Sequence, residues 1–171
     1  MPVEAAHAEF YFTKNELIQN LVHQLKYKDN KEIGIYLGEM LGSTLLQSGR
    51  FTDINYLVPL PLFADKEFKR GYNQAEIICR GVNRALNVPV LTGNLVRQRP
   101  TETQTRKHRT ERWQNVEGSF TVKNPEVLEN KNILLIDDVL TTGATLEACG
   151  TALLQTQGVN LYLAVIAQAS K

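Results

Sequence analysis

Cysteine is scarce in this sequence of 171 residues: Cys79 and Cys149 are the only two, far apart and without a C-x-x-C spacing. That excludes a four-thiolate zinc cluster or a dithiol redox pair, and leaves small buried thiols in a reducing compartment as the expectation. Histidine is equally sparse. His7, His23 and His108 share no ligand spacing, so each is read as a surface or packing residue rather than a metal ligand. An excess of either charge is missing too: 19 Lys and Arg stand against 18 Asp and Glu, for a net charge of +1. Nothing in that balance draws the whole molecule to nucleic acid or an acidic membrane, so any electrostatic function needs local segregation of charge. No apolar run approaches the length of about 20 residues that spans a bilayer. The start "MPVEAAHAEF" also lacks a basic region followed by an apolar one. A cytoplasmic protein with no membrane span is expected.

What is present is enough apolar residue, 43%, for a single domain over 1–171 with a sizeable core. The segment "TKNELIQNLVHQLKYKDN" has apolar residues at helical period, and Thr13 with Glu16 has the form of a capping box. A second helix is expected from about 31 to 47, so that 13–48 forms an N-terminal helical part. Its glycines 34, 38 and 42 repeat every four residues and are read as a close-packed face. "INYLVPLPLF" is an apolar strand that should stop near Val58, because Pro59 and Pro61 cannot donate to a ladder. A helix is expected from Asn73 to Leu86, stopped before Pro89. "GSFTV" is read as a short strand and "ILLID" as a parallel-type buried one. A helix from about Thr142 to Gln157 with Gly158 as C-cap, and a closing strand "LYLAVIAQ", complete a βαβ unit.

Between these elements, residues 97–114 hold six Lys and Arg against two Glu. A polar stretch this long reads as a flexible loop, and such loops are usually functional or disordered.

The stretch "NILLIDDVLTTGATLEACG" carries the chemistry. A strand this apolar gains nothing from ending in Asp137 and Asp138, because an unpaired carboxylate in the interior costs several kcal/mol. In an open α/β sheet, ligands sit beyond the carboxyl ends of strands. There "TTGAT" opens a helix whose free N–H groups and dipole favour a phosphate, with Gly143 admitting close approach and Thr141, Thr142 and Thr145 adding hydroxyls. Carboxylates suit sugar hydroxyls or a magnesium shell. Together these residues read as a ribose 5-phosphate cradle; a single capping Asp would mean less.

"ILLIDDVLTTGAT" resembles the signature of the type I phosphoribosyltransferases, which bind 5-phosphoribosyl 1-diphosphate (PRPP) with magnesium. The resemblance implies a Rossmann-like α/β fold with a mostly parallel central sheet flanked by helices, its PRPP-binding core at 54–171. It assigns the ribose hydroxyls, and magnesium directly or through water, to Asp137 and Asp138. It assigns the 5′-phosphate to Thr141, Thr142, Gly143, Ala144 and Thr145. Pro59, Leu60, Pro61 and Leu62 fall where the family has its pyrophosphate loop, and the Arg-rich segment where it has a closing loop. A closer match extends over most of the chain: "LKYKDN", "VPLPL" with "RGYNQAE", "TETQTRKHRTERWQNVEGSF" and the PRPP signature together resemble the ComF (competence protein F-like) family. Members of that family often carry an N-terminal four-cysteine zinc module, and two cysteines cannot supply one.

Where purine-salvage enzymes usually hold an aspartate, this sequence has Thr141, which cannot act as a base near neutral pH, so hypoxanthine or guanine is disfavoured as acceptor. Gln104, Arg106, Lys107, Arg109 and Arg112 are the candidate catalytic residues, neutralising charge on the leaving diphosphate; the alternative is a solvated basic loop. Arg70, Asn73 and Gln74 either line the same cleft or are a surface charge, a helix cap and their neighbour. Trp113 is read as an anchor at the end of the loop. The partner expectations are PRPP as ligand, a homodimer, and a competence-machinery partner if the protein is instead a non-catalytic PRPP-binding regulator or DNA-uptake factor. Direct nucleic-acid binding ranks lowest.

Overall fold

The computed structural model describes residues 1–12, 17–98 and 119–169. The run Ile133, Leu134, Leu135 and Ile136, all with no exposed surface, lies on the central strand β5 (Asn132–Leu140). A strand buried on both faces needs this unbroken apolar pattern. Around it a four-stranded sheet forms in the order β1 (Ala5–Phe12), β6 (Asn160–Ala169), β5, β2 (Tyr56–Pro59), with every neighbouring pair parallel. A parallel bridge from Leu57 to Val90 continues it beyond β2. This mostly parallel α/β architecture is the expected fold class.

Alternation along β5 divides the core into two layers. Leu134 and Ile136 pack with α1 (Leu17–Tyr27), α2 (Lys31–Ser48) and α4 (Gln74–Leu86), whereas Ile133 and Leu135 pack with α5 (Ala144–Leu154). On the α5 side lies a small antiparallel ribbon of β3 (Leu95–Arg97) and β4 (Phe120–Val122). Leu95 and Phe120 root it in that core. Both cysteines are free and buried, Cys79 on α4 and Cys149 on α5. Among the described residues no helix is long and apolar enough to cross a membrane.

Two elements stand where the sequence pattern assigned none: β1, whose Ala5 to Phe12 pair with Tyr162 to Ala169, and a helix α3 (Ala64–Arg70), with no buried residue, after the proline turn. The bounds of two further elements are corrected. β2 runs one residue past Val58, since Pro59 still pairs in register with Ile136. α5 starts at Ala144 and ends at Leu154, because Gly143 is left-handed at φ 82° and interrupts the helix on its N-terminal side. Gly158 is also left-handed, at φ 71°, but belongs to the turn before β6. Thr13 and Glu16 lie outside the described residues. The other helices stand where expected, α4 with Asn73 as its N-cap.

Candidate functional site

The strand carrying the two aspartates does not stop at them. β5 continues to Leu140, with Asp137 paired to Val165, Val139 to Ala167 and Leu140 to Gln168. Asp137 and Asp138 are therefore the sixth and seventh residues of a strand rather than its tip, because β6 extends far enough to keep the ladder intact. Neighbouring strand residues face opposite sides, so Asp137 lies on the α5 side and Asp138 on the side of α1 and α4.

Asp138 is 3% exposed. Gln74 Nε2 donates to its Oδ1 at 3.5 Å, at the long limit of a hydrogen bond. Lys26 Nζ lies 2.6 Å from Oδ2 as an ion pair. That contact is not aligned as a hydrogen bond, and Oδ2 has no such partner among the described residues. A buried carboxylate oxygen without an aligned donor is costly; a hydroxyl donor from a ligand would satisfy it. Asp137 is held differently: its Oδ1 accepts from the Asp138 backbone N–H at 2.8 Å. Burial pushes the Asp137 carboxyl well above the usual carboxylate range, and the neighbouring charge of Asp138 pushes it further.

The segment Arg70-Gly-Tyr-Asn-Gln74 binds three walls of the site together. Arg70 Nη1 donates to Gln74 Oε1, which aims the Gln74 amide at Asp138. Asn73 Nδ2 donates to the Leu60 carbonyl at 3.0 Å, while its Oδ1 caps α4 by accepting from the Ala75 N–H at 2.9 Å. Asn73 thus caps α4 and ties its start to the proline turn. Tyr72 donates its hydroxyl to the Leu25 carbonyl on α1, and Arg70 sits over the Tyr27 ring at 5.6 Å. Burial raises the Tyr72 phenol, with Asp29 adding to it, which keeps that hydroxyl a donor. Lys26, Tyr27 and Tyr72 lie in the stretches "LKYKDN" and "RGYNQAE" that carry the ComF resemblance, but the helical pattern around Lys26 signals only a solvated face and gives it no site role.

The proline turn follows β2, with the Leu60 N–H bonded to the Ile136 carbonyl at 2.9 Å. Pro61 and Leu62 are half-buried beside it. Just past the end of β5, Thr141 and Thr142 are exposed and Gly143, Ala144 and Thr145 half-buried. Gly143 is the N-cap of α5 and offers no side-chain cap, so the first N–H groups of that helix keep donors for an anion. Thr142 Oγ1 reaches the Ala144 N–H only at 3.5 Å.

Arg97 departs from the expected loop. It belongs to β3, with its guanidinium over the Phe63 ring at 3.5 Å and the Phe120 ring at 5.1 Å. Desolvation there lowers its pKa. This arginine is a packing residue that joins the ribbon to the end of the proline turn, not a mobile cation. Gln104, Arg106, Lys107, Arg109, Arg112 and Trp113 lie outside the described residues, as does His108. His7 pairs with Glu9 at 3.0 Å and His23 packs on Tyr27 at 4.9 Å. Among the described residues no three His, Cys, Asp or Glu side chains converge as a metal cage.

The sequence profile of the phosphoribosyl transferase domain matches residues 69–170. The chain belongs to that family. Its relatives include the competence protein ComFC of Bacillus subtilis, 33% identical over 145 residues, which cover 84% of this chain and 56% of that protein. The DNA utilization protein YhgH of Escherichia coli K12 is 29% identical over 138 residues, 79% of this chain and 60% of that protein. The chain thus spans under two thirds of the length of these relatives, and their names bear out the ComF-type resemblance. Among solved structures, the glutamine phosphoribosylpyrophosphate amidotransferase of B. subtilis complexed with ADP and GMP superposes with a TM-score of 0.52. It is 16% identical over 78% of this chain and 26% of that one, which shows the shared phosphoribosyltransferase fold.

Asn73 offers a test of how the proline turn is held to α4. Asn73→Ala removes both of its hydrogen bonds and is expected to cost about 1–2 kcal/mol. Asn73→Asp keeps the cap acceptor but loses the donor to Leu60, so its melting temperature should fall between wild type and Asn73→Ala. Equal melting temperatures for wild type and Asn73→Asp would mean that the bond to Leu60 holds nothing in place.

Proposed function

We propose that this ComF-type protein binds PRPP with magnesium and transfers its phosphoribosyl group to an acceptor, releasing pyrophosphate. The observation that carries the reading is Asp138: a buried carboxylate beside a phosphate-binding type of loop, with one oxygen lacking an aligned donor. A ribose hydroxyl supplies that donor. The helix N-terminus at Gly143, with Thr141, Thr142 and Thr145, takes the 5′-phosphate, and the turn from Pro59 to Leu62 with Arg70 faces the diphosphate.

In the reaction the C1–oxygen bond to the diphosphate breaks through an oxocarbenium-like transition state and a bond from C1 to the acceptor forms. The displaced electron pair leaves with the diphosphate, and the acceptor's proton passes to solvent. Arg70 and the cations at 106, 107, 109 and 112, with Gln104, would stabilise the negative charge that gathers on the leaving group. Asp137 and Asp138 would hold magnesium, directly or through water, as carboxylate oxygens suit this hard ion. Its chemistry when bound is neutralisation of the diphosphate.

Calorimetric titration with PRPP, with and without magnesium, tests the reading. Magnesium-dependent binding is expected, and pyrophosphate release on screening acceptors should follow. Binding without release for any acceptor would favour a PRPP-binding regulator. No binding of PRPP in magnesium would overturn the site.

A further inference from the structure

We infer that Lys26, on α1, is a ligand-contacting residue that recognises the diphosphate of PRPP. This inference rests on the PRPP reading above and adds to it a wall of the cleft built from outside the stretch at 69–170 that carries the family match. Three observations converge on Lys26. Its ammonium is 2.6 Å from the Asp138 carboxylate, so it stands beside the group that receives a ribose hydroxyl. Its side chain is 25% exposed where that of Asp138 is 4% exposed, so it sits on the open side of the acid. Both of its chain neighbours are fixed to the segment that follows the proline turn, Leu25 through the Tyr72 hydroxyl and Tyr27 through the Arg70 guanidinium.

An ammonium has three donors. One side of it meets Oδ2 at 2.6 Å, and its remaining N–H groups can donate elsewhere without leaving the carboxylate's field. In PRPP the diphosphate is attached to C1, next to the carbons that bear the hydroxyls. A hydroxyl donating to Asp138 therefore brings the diphosphate within reach of a cation already paired with that acid. The direction also fits, because Tyr27 lies against Arg70, and the segment bearing Arg70 is bonded through Asn73 to the proline turn. Lys26 thus adds a positive charge where the leaving group gathers negative charge, with its own carboxylate partner limiting the cost of its burial.

A merely structural role, anchoring α1 through Asp138, would affect every ligand of the ribose site equally. Contact with the diphosphate would not. The experiment compares PRPP and ribose 5-phosphate binding in magnesium to wild type, Lys26→Met and Lys26→Arg, with circular dichroism as the check on folding. Lys26→Met should weaken PRPP by about 10- to 100-fold, the scale of a charge-assisted hydrogen bond, and ribose 5-phosphate by less than about threefold. Lys26→Arg, which keeps the charge and guards against a folding defect in the Met variant, should recover most of the loss. Equal weakening of both ligands, or unchanged PRPP affinity in folded Lys26→Met, would overturn the inference while the PRPP site stands. Failure of wild type to bind PRPP would overturn that site and the inference with it.

Discussion

Replacing Asp137 and Asp138 together by asparagine is expected to abolish PRPP binding, while Asp137→Asn alone should raise the melting temperature of the ligand-free protein at neutral pH. The two effects share a cause. Two adjacent acids lie in a largely buried strand, and among the described residues the cation paired with them is Lys26, beside Asp138; on the proposed reading the arrangement serves a ligand rather than the folded state. Burial raises the Asp137 carboxyl well above its unfolded value, and Asp138 adds to the shift. In the unfolded chain the proton leaves near pH 3.9. Between that pH and the raised folded value the native state binds more protons than the unfolded one, so stability falls as pH rises. Asparagine has no charge to desolvate and can still accept from the Asp138 N–H. Its advantage should therefore vanish as the pH approaches the ordinary carboxylate range and grow toward neutrality. Calorimetry reads the first effect and thermal melts across pH the second. Unchanged PRPP affinity in the double variant would sink the site assignment; a melting temperature for Asp137→Asn at or below wild type at pH 7 would mean that the acid is not strained.

The features legible in the sequence are those whose signals are local. α4 carries its own cap, its own period and an Asn at its left-handed end, and β5 announces its burial by four consecutive branched apolar residues. The glycine repeat on α2 states a close approach without naming its partner. What was not legible depends on distant pairing. β1 is a strand because β6, at the far end of the chain, lies beside it; alternating Ala, His, Glu and aromatic residues do not declare that alone. α3 buries nothing, so no apolar stripe marks it. At the site the same division holds. The Asp-Asp and Thr-Thr-Gly-Ala-Thr stretch is contiguous and could be recognised, whereas Lys26 and Tyr72 join it only through contacts across the fold. Arg97 was misassigned for a related reason: charge composition grouped it with the basic segment, but Phe63 and Phe120 hold it in the ribbon.

The close approach of α2 and α4 sets the largest expected loss of stability. A Cβ on Gly38 would lie 2.2 Å from the Ile78 carbonyl oxygen, and one on Gly81 would lie 2.2 Å from the Ile35 carbonyl oxygen. Both obstacles are backbone, which no rotamer change can move, so either alanine must push the helices apart. Alanine is the better helix former by about 1 kcal/mol, yet overpacking of this kind costs about 1–3 kcal/mol or more. With melting temperature changing by about 2–4 °C per kcal/mol in a chain of this size, Gly81→Ala should melt several degrees below wild type despite its higher propensity. The displacement reaches the cleft. α4 begins at Gln74, whose amide already reaches Asp138 only at 3.5 Å, and Gly81 lies two turns along the same helix. A helix shifted by a few tenths of an ångström breaks that hydrogen bond, so PRPP affinity should fall together with stability. Gly49→Ala provides the contrast, since a Cβ there meets nothing within 4 Å and the only strain is its left-handed φ of 64°. That variant should lose about 1 kcal/mol and keep its ligand affinity. If Gly81→Ala lowered the melting temperature no more than Gly49→Ala, the helix contact would be compliant, and α4 could not be the rigid element that holds Gln74 against Asp138.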